Sequence, residues 1–138
     1  MTQLTNIMCK EEHDGFLYVY FENYENDCNC MWRKNPEYEN VYSIERVDIL
    51  PQFRRSGCAR KLLENTLKRI SEECPQACVE ITAKPDENSG LTVENLVAFY
   101  ESLGFETYLR LGDRVHLRLY FDCAVKPSVV YDHPFFFK

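Results

Sequence analysis

Between Pro51 and Leu63 the sequence reads PQFRRSGCARKLL, which gathers Arg54, Arg55, Ser56, Gly57, Cys58, Ala59, Arg60 and Lys61 where a strand pattern gives way to a helical one. Backbone N–H groups in such a loop and in the first helical turn have no intrahelical acceptor. They can therefore converge on phosphate oxygens, with the positive end of the helix dipole behind them. Gly57 permits close approach of a ligand to the backbone, and the small Ala59 keeps the way open. Arg54, Arg55, Arg60 and Lys61 make the local field positive although the chain carries a formal net charge of −6. Four basic residues would equally serve as a solvated face, so the spacing carries the reading rather than the charge. No Gly-Lys-Ser/Thr closes the loop as in a Walker A motif, and one glycine is not the GxGxxG of a dinucleotide site. The chemistry is anion holding, not nucleotide hydrolysis or hydride transfer. Cys58 stands at a helix N-terminus, where a thiolate is stabilised, but no His-Asp set accompanies it for nucleophilic catalysis.

The elements that must position this loop follow from periodicity. Val41 to Leu50 alternates as a long strand, with Val41, Ser43, Glu45, Val47 and Ile49 on one face. After Pro51, Ala59, Leu62, Leu63, Thr66, Leu67 and Ile70 fall at helical spacing, and Pro75 requires that helix to end near Glu73. Upstream, Phe16 to Glu22 is an aromatic, β-branched strand between turn signals, flanked by candidate strands Leu4 to Lys10 and Cys28 to Arg33 in an antiparallel meander. Downstream, Cys78 to Ala83 reads as a strand. Thr92 is an N-cap for a second helix with Val93, Leu96, Val97, Tyr100 and Leu103 on one stripe, closed by Gly104. Phe105 to Leu111 and Val115 to Phe121 form a hairpin around Gly112-Asp113-Arg114. This order predicts an α/β (α+β) domain with a mixed, mostly antiparallel sheet and a helix on each face.

A chain of 138 residues fits one domain able to bury roughly two thirds of its unfolded surface. We expect a domain over residues 1–123 and an aromatic tail over 124–138, packed on that domain or on a dimer partner. With Tyr131 and Phe135-Phe136-Phe137 the tail is too apolar to be left solvated. The acidic balance argues against nucleic acid, whose affinity comes from clustered Lys and Arg. No apolar run approaches the roughly 18 residues of a membrane span, and the N-terminus lacks a signal-peptide pattern, so we expect no membrane anchor and a cytoplasmic location. Seven cysteines without a leader read as free thiols. The Cys28-x-Cys30 and Cys74-x-x-x-Cys78 spacings lack the geometry and His partners of a zinc site, so no metal is expected.

Two stretches together carry a resemblance. Arg54-x-x-Gly57-x-Ala59, preceded by Ile49-Leu50-Pro51, resembles the Arg/Gln-x-x-Gly-x-Gly/Ala signature of the GNAT acetyltransferases and the V-x-P that precedes it. Phe99-Tyr100-Glu101-Ser102-Leu103-Gly104-Phe105 resembles the FYEKLGF-like close of the family's last helix. The resemblance covers roughly Val41 to Phe121. It implies a compact GNAT fold that uses acetyl-CoA as cosubstrate. The backbone at Ile49 and Leu50 would take the acetyl carbonyl and pantetheine arm, and Arg54, Arg55, Ser56, Gly57, Cys58, Ala59 and Arg60 the pyrophosphate. It implies that Tyr100 protonates the departing thiolate, for which a phenol of pKa about 10 is suited; the other reading of Tyr100 is a core aromatic. The attacking ammonium must lose a proton, and Glu45 is the candidate base. On the face of Ile49 it lies about 13 Å upstream, which suggests relay through water. A cross-strand ion pair is the equal alternative for Glu45, and Glu80 and His116 are its rivals as base.

The implied activity is acetyl transfer to a primary amine by direct attack in a ternary complex, the acceptor being a polyamine, a lysine side chain or a protein N-terminus. RRSGCARKLL resembles the wording of protein N-terminal acetyltransferases. The chain departs from the family where an Asn and an Ala commonly precede the tyrosine: Val93 and Leu96 stand there, so that asparagine contact is not carried over. The family's N-terminal helices are absent or reduced, which leaves the acceptor side open or completed by a partner subunit or the tail. A non-catalytic CoA-binding or interaction module is the alternative function.

Overall fold

The computed structural model describes residues 6–12, 14–49, 53, 56–85 and 90–121. Seven strands, β1 (Ile7–Glu11), β2 (Leu17–Phe21), β3 (Asn29–Lys34), β4 (Val41–Asp48), β5 (Cys78–Ala83), β6 (Glu106–Leu111) and β7 (Arg114–Tyr120), form one sheet in the order β1-β2-β3-β4-β5-β7-β6. Every neighbouring pair is antiparallel except β4 and β5. Helix α1 (Cys58–Glu73) joins those two, and α2 (Val93–Glu101) joins β5 to β6. Among the described residues no helix precedes α1, in keeping with the reduced N-terminal half that the sequence suggests.

Local signals account for the boundaries. Thr92 caps α2 by accepting the Asn95 N–H at 3.1 Å. Ser102 ends that helix, and Gly104, at φ 106°, turns the chain into β6 as a left-handed residue. Cys74 adopts extended geometry one residue before Pro75 and closes α1.

The two helices lie on the same face of the sheet, which corrects the expectation of one on each. Cross-strand register puts Val19, Cys30, Trp32, Ile44, Ile81 and Leu117 on a common face. Glu73 of α1 lies beside Tyr42 on that face, and Thr66 beside Cys30. The turn after α2 meets the same face, where a Cβ on Gly104 would stand 3.3 Å from Leu119. The reason is the handedness of crossovers. β4 to β5 and β5 to β6 both step in the same direction between parallel strands, and right-handed connections then deliver both helices to one side. Sequence order alone does not reveal this, because the direction of the second step depends on β7 inserting between β5 and β6.

The core is the layer between that face and the helices, with Leu62, Leu63 and Ile70 of α1 against Val19, Phe21, Trp32, Ile44 and Ile81, and Tyr100 and Phe105 against Val115, Leu117 and Leu119. Burying a leucine side chain here is worth about 2 kcal/mol, and truncation adds a cavity penalty. Leu63→Ala should therefore lower the free energy of unfolding by about 2–5 kcal/mol in denaturant titration, whereas Lys61→Ala on the exposed side of α1 should change it by less than about 0.5 kcal/mol.

Candidate active site

The parallel pair is incomplete. β4 and β5 pair from Val41↔Cys78 to Ile44↔Ile81 and no further. Yet β4 stays paired with β3 as far as Asp48, and β5 with β7 as far as Ala83. Beyond Ile44 and Ile81, among the described residues, no rung of the ladder joins the two strands. A bulge marks the point of departure. Met31 opposes Arg46 and Trp32 opposes Ile44, so Glu45 is an extra residue in β4. The opening lies at the carboxyl ends of two parallel strands, where open α/β sheets place their ligands.

α1 begins at the same end. Its N-cap is Gly57, at φ 84°, a left-handed conformation costing an L-residue about 1–2 kcal/mol. A Cβ there would meet no protein atom within 4 Å, so glycine is required by conformation and not by crowding. Among the described residues no side chain caps the first turn, and no acid stands in it. That leaves the positive dipole end of α1 without an acid beside it, a local setting that suits an anion. Ser56 donates from its hydroxyl to the Phe53 carbonyl and lies 3.1 Å from the Cys58 thiol. Phe53 holds the loop to the β2–β3 turn through an edge contact with Tyr24, ring centroids 5.2 Å apart. Cys58 is buried in the core, Ala59 half-buried, and Ile49 packs against the core edge. Arg60 donates to Ser102 Oγ at 2.6 Å and lies over the Phe99 ring, tying the start of α1 to the end of α2. The two sequence landmarks are therefore in direct contact. Leu50, Arg54 and Arg55 lie outside the described residues.

Tyr100, 7% exposed, reaches from α2 into the inner layer between Phe99 and Phe105. It is near enough to Cys30 to feel that thiol's charge, and Cys30 opposes Val47 on the parted segment of β4. Burial, with a smaller contribution from Cys30, pushes the phenol up to about 12, so it remains protonated throughout the neutral range. Burial likewise pushes the Cys30 thiol up to about 12.

Glu45 is placed differently from a strictly alternating strand. The bulge breaks the alternation between positions 45 and 49, and the exposed Glu45 carboxylate is 3.4 Å from Arg33 Nε on the neighbouring strand. The ion-pair alternative is thus realised. Glu80 and His116 lie on the face away from the helices. Glu80 accepts from Tyr108 Oη at 2.9 Å and from Arg118 Nε at 3.2 Å, and His116 Nδ1 is 2.9 Å from Thr82 Oγ1. Tyr108 lies over the Arg118 guanidinium at 3.8 Å. The sequence reading missed Arg118, Tyr108 and Cys30 as parts of these clusters. A signal existed for the first: in CVEITA and RVHLRLY the polar residues recur at every second position, which puts them on one face.

The sequence model of the acetyltransferase (GNAT) domain matches residues 12–107, and the chain belongs to that family of acyl-CoA-dependent N-acyltransferases. Solved structures share the fold. A GNAT-family protein from Desulfovibrio desulfuricans superposes with a TM-score of 0.63 at 19% identity, over 78% of this chain and 69% of its own. The ribosomal-protein-S18-alanine N-acetyltransferase of Escherichia coli gives 0.58 at 15%, over 88% of this chain and 77% of its own. The PaiA N-acetyltransferase of Thermoplasma acidophilum, solved with coenzyme A, gives 0.57 at 14%, over 77% of this chain and 60% of its own. No curated protein matches the sequence. Among the described residues no helix is long and apolar enough to cross a membrane.

The raised Tyr100 and Cys30 groups predict a pH dependence. The folded state holds these protons to about pH 12, whereas the unfolded chain releases them near pH 9–10. Their stabilisation is therefore fully present below about pH 9 and lost as pH rises towards 12. Urea unfolding followed between pH 8 and 11 should show this fall, and Tyr100→Phe should flatten it.

Proposed function

We propose that the protein transfers the acetyl group of acetyl-CoA to a primary amine by direct attack in a ternary complex. The observation that carries this reading is the parting of β4 and β5 beside the left-handed Gly57 entry to α1, with the protonated Tyr100 beneath the parted segment. Acetyl-CoA supplies an acyl group already activated as a thioester. In the proposed assignment, backbone groups at Ile49 and Leu50 hold the acetyl and pantetheine portion. The loop from Arg54 through Arg55, Ser56, Gly57, Cys58, Ala59 and Arg60 holds the pyrophosphate. A neutral phenol in a low-dielectric layer is a proton donor, which suits Tyr100 to the thiolate leaving group. The incoming ammonium gives its proton to water relayed towards Glu45, whose exposed carboxylate borders the parted segment. The acceptor classes with the right chemistry are a polyamine, a lysine side chain or a protein N-terminus, and the site is assigned to the cytoplasm and, as one arrangement, to a homodimer.

A second reading, a CoA-binding module without turnover, is favoured by one observation: Val93 and Leu96 pack against the core where many relatives carry Asn and Ala. The two readings separate in one assay. Titration with acetyl-CoA followed by an amine screen monitoring free thiol should show binding and then release of coenzyme A; binding with no thiol from any amine would decide for the module. In the active case Tyr100→Phe should lower kcat about 100-fold while the Kd for acetyl-CoA stays within about threefold. Gly57→Val should do the reverse, weakening acetyl-CoA by strain at the loop. Glu45→Gln should lower kcat/KM about tenfold or more with the Kd for acetyl-CoA unchanged; an unchanged kcat/KM in that variant would remove Glu45 from the relay.

A further inference from the structure

The ladder between β4 and β5 ends at Ile44↔Ile81, and Glu45 and Thr82 are the residues that follow on the two strands. Both side chains are on the face away from the helices. Alternation puts Thr82 there, because Ile81 packs in the core, and its cross-strand partner His116 lies on the same side, one residue before the core residue Leu117. Glu45 is on that side through its ion pair with Arg33, which follows the core residue Trp32. The two are held differently. Glu45 is bound to an exposed side chain, whereas the exposed Thr82 has its hydroxyl 2.9 Å from Nδ1 of His116, which is only 1% exposed. A threonine has few side-chain rotamers, and a buried imidazole cannot turn with the solvent, so this hydroxyl is fixed although it stands at the surface.

We propose that Thr82 holds the nitrogen of the acceptor amine at the end of the β4–β5 ladder, and that His116 is the positioning residue that keeps the hydroxyl in place. This inference rests on the acetyl-transfer reading and gives it a substrate contact on β5. The layer on the helix side is apolar and filled by the core around Tyr100, so a polar acceptor approaches from the other face, where Glu45 and Thr82 flank the end of the ladder. An attacking amine needs its lone pair aimed at the carbonyl carbon, and an acceptor for one of its N–H bonds fixes that aim. A threonine oxygen has two lone pairs and one hydrogen. Where the hydroxyl donates to Nδ1, both lone pairs stay available; where the imidazole N–H donates to the hydroxyl, one does. Either tautomer leaves Thr82 able to accept from the amine. Thr82 keeps its proton and forms no covalent bond, so it aligns the nitrogen while the proton leaves by the relay towards Glu45.

Thr82→Val keeps the branched shape and removes the hydroxyl, and Thr82→Ser keeps the hydroxyl. The full-length wild type and both variants are assayed by free-thiol release at saturating acetyl-CoA against spermidine, Nα-acetyl-lysine and a short peptide with a free N-terminus. For each amine that the wild type uses, Thr82→Val should lower kcat/KM about tenfold or more, with the Kd for acetyl-CoA within about twofold and the urea midpoint unchanged, and Thr82→Ser should stay within about threefold of wild type. His116→Gln should lower kcat/KM too, and this loss should vanish in the Thr82→Val background, because His116 acts through that hydroxyl. Wild-type turnover with an unaffected Thr82→Val would overturn this inference alone. So would a loss in Thr82→Val that Thr82→Ser shares, or one that follows a lowered urea midpoint, since a pair serving only the sheet would behave that way. A His116→Gln loss that persists in full in the Thr82→Val background would overturn the part given to His116, and should His116→Gln fail to fold, the two Thr82 variants decide. A wild type that releases no thiol with any of the amines overturns the acetyl-transfer reading and this inference with it.

Discussion

The structure depends on a ladder that stops. Among the described residues β4 and β5 are the only parallel neighbours, and their pairing ends at Ile44 and Ile81 while both strands run on. A parallel pair in mid-sheet is ordinarily saturated, since unmet backbone groups cost about 1–3 kcal/mol each when buried. Ending this one early, between Ile44 and Ile81, frees the two strands to diverge at their carboxyl ends. The bulge at Glu45 allows β4 to bend away from β5 without losing its register with β3.

Everything else on the helix side keeps those strand ends in register with the first turn of α1. α1 is anchored through Leu62, Leu63 and Ile70, and its first turn is tied to the end of α2 by Arg60, Ser102 and Phe99. The same tie brings Tyr100 under the parted strand. The stripe that packs α2 is also the stripe that carries its candidate proton donor. A core aromatic and a catalytic phenol are therefore not competing descriptions, because burial both stabilises the helix and keeps the phenol protonated.

Among the described residues no helix precedes α1, and neither helix covers the other face. The polar cluster of Glu80, Tyr108, Arg118, Thr82 and His116 occupies the half of that face next to the final strand. A buried ion pair such as Glu80–Arg118 gives little net stability, since desolvation offsets attraction. Its cross-strand bonds instead fix the relative positions of β5, β6 and β7.

Much of this was legible in the sequence, and the limits have a physical cause. Strand and helix positions came from periodicity and turn chemistry, which act over a few residues: Cys78–Ala83, the Thr92 cap and the hairpin around Gly112 were all readable locally. So was the glycine turn into α1, because Gly57 and the helix it opens are contiguous in the chain. What tertiary structure alone decided was relational. The side on which each helix falls depends on β7 entering between β5 and β6. The place where β4 leaves β5 depends on pairing across the whole βαβ unit, and the bulge that moves Glu45 out of phase with Ile49 depends on pairing with β3 across the β3–β4 connection. Alternation along one strand cannot register an extra residue that shows only against its neighbour.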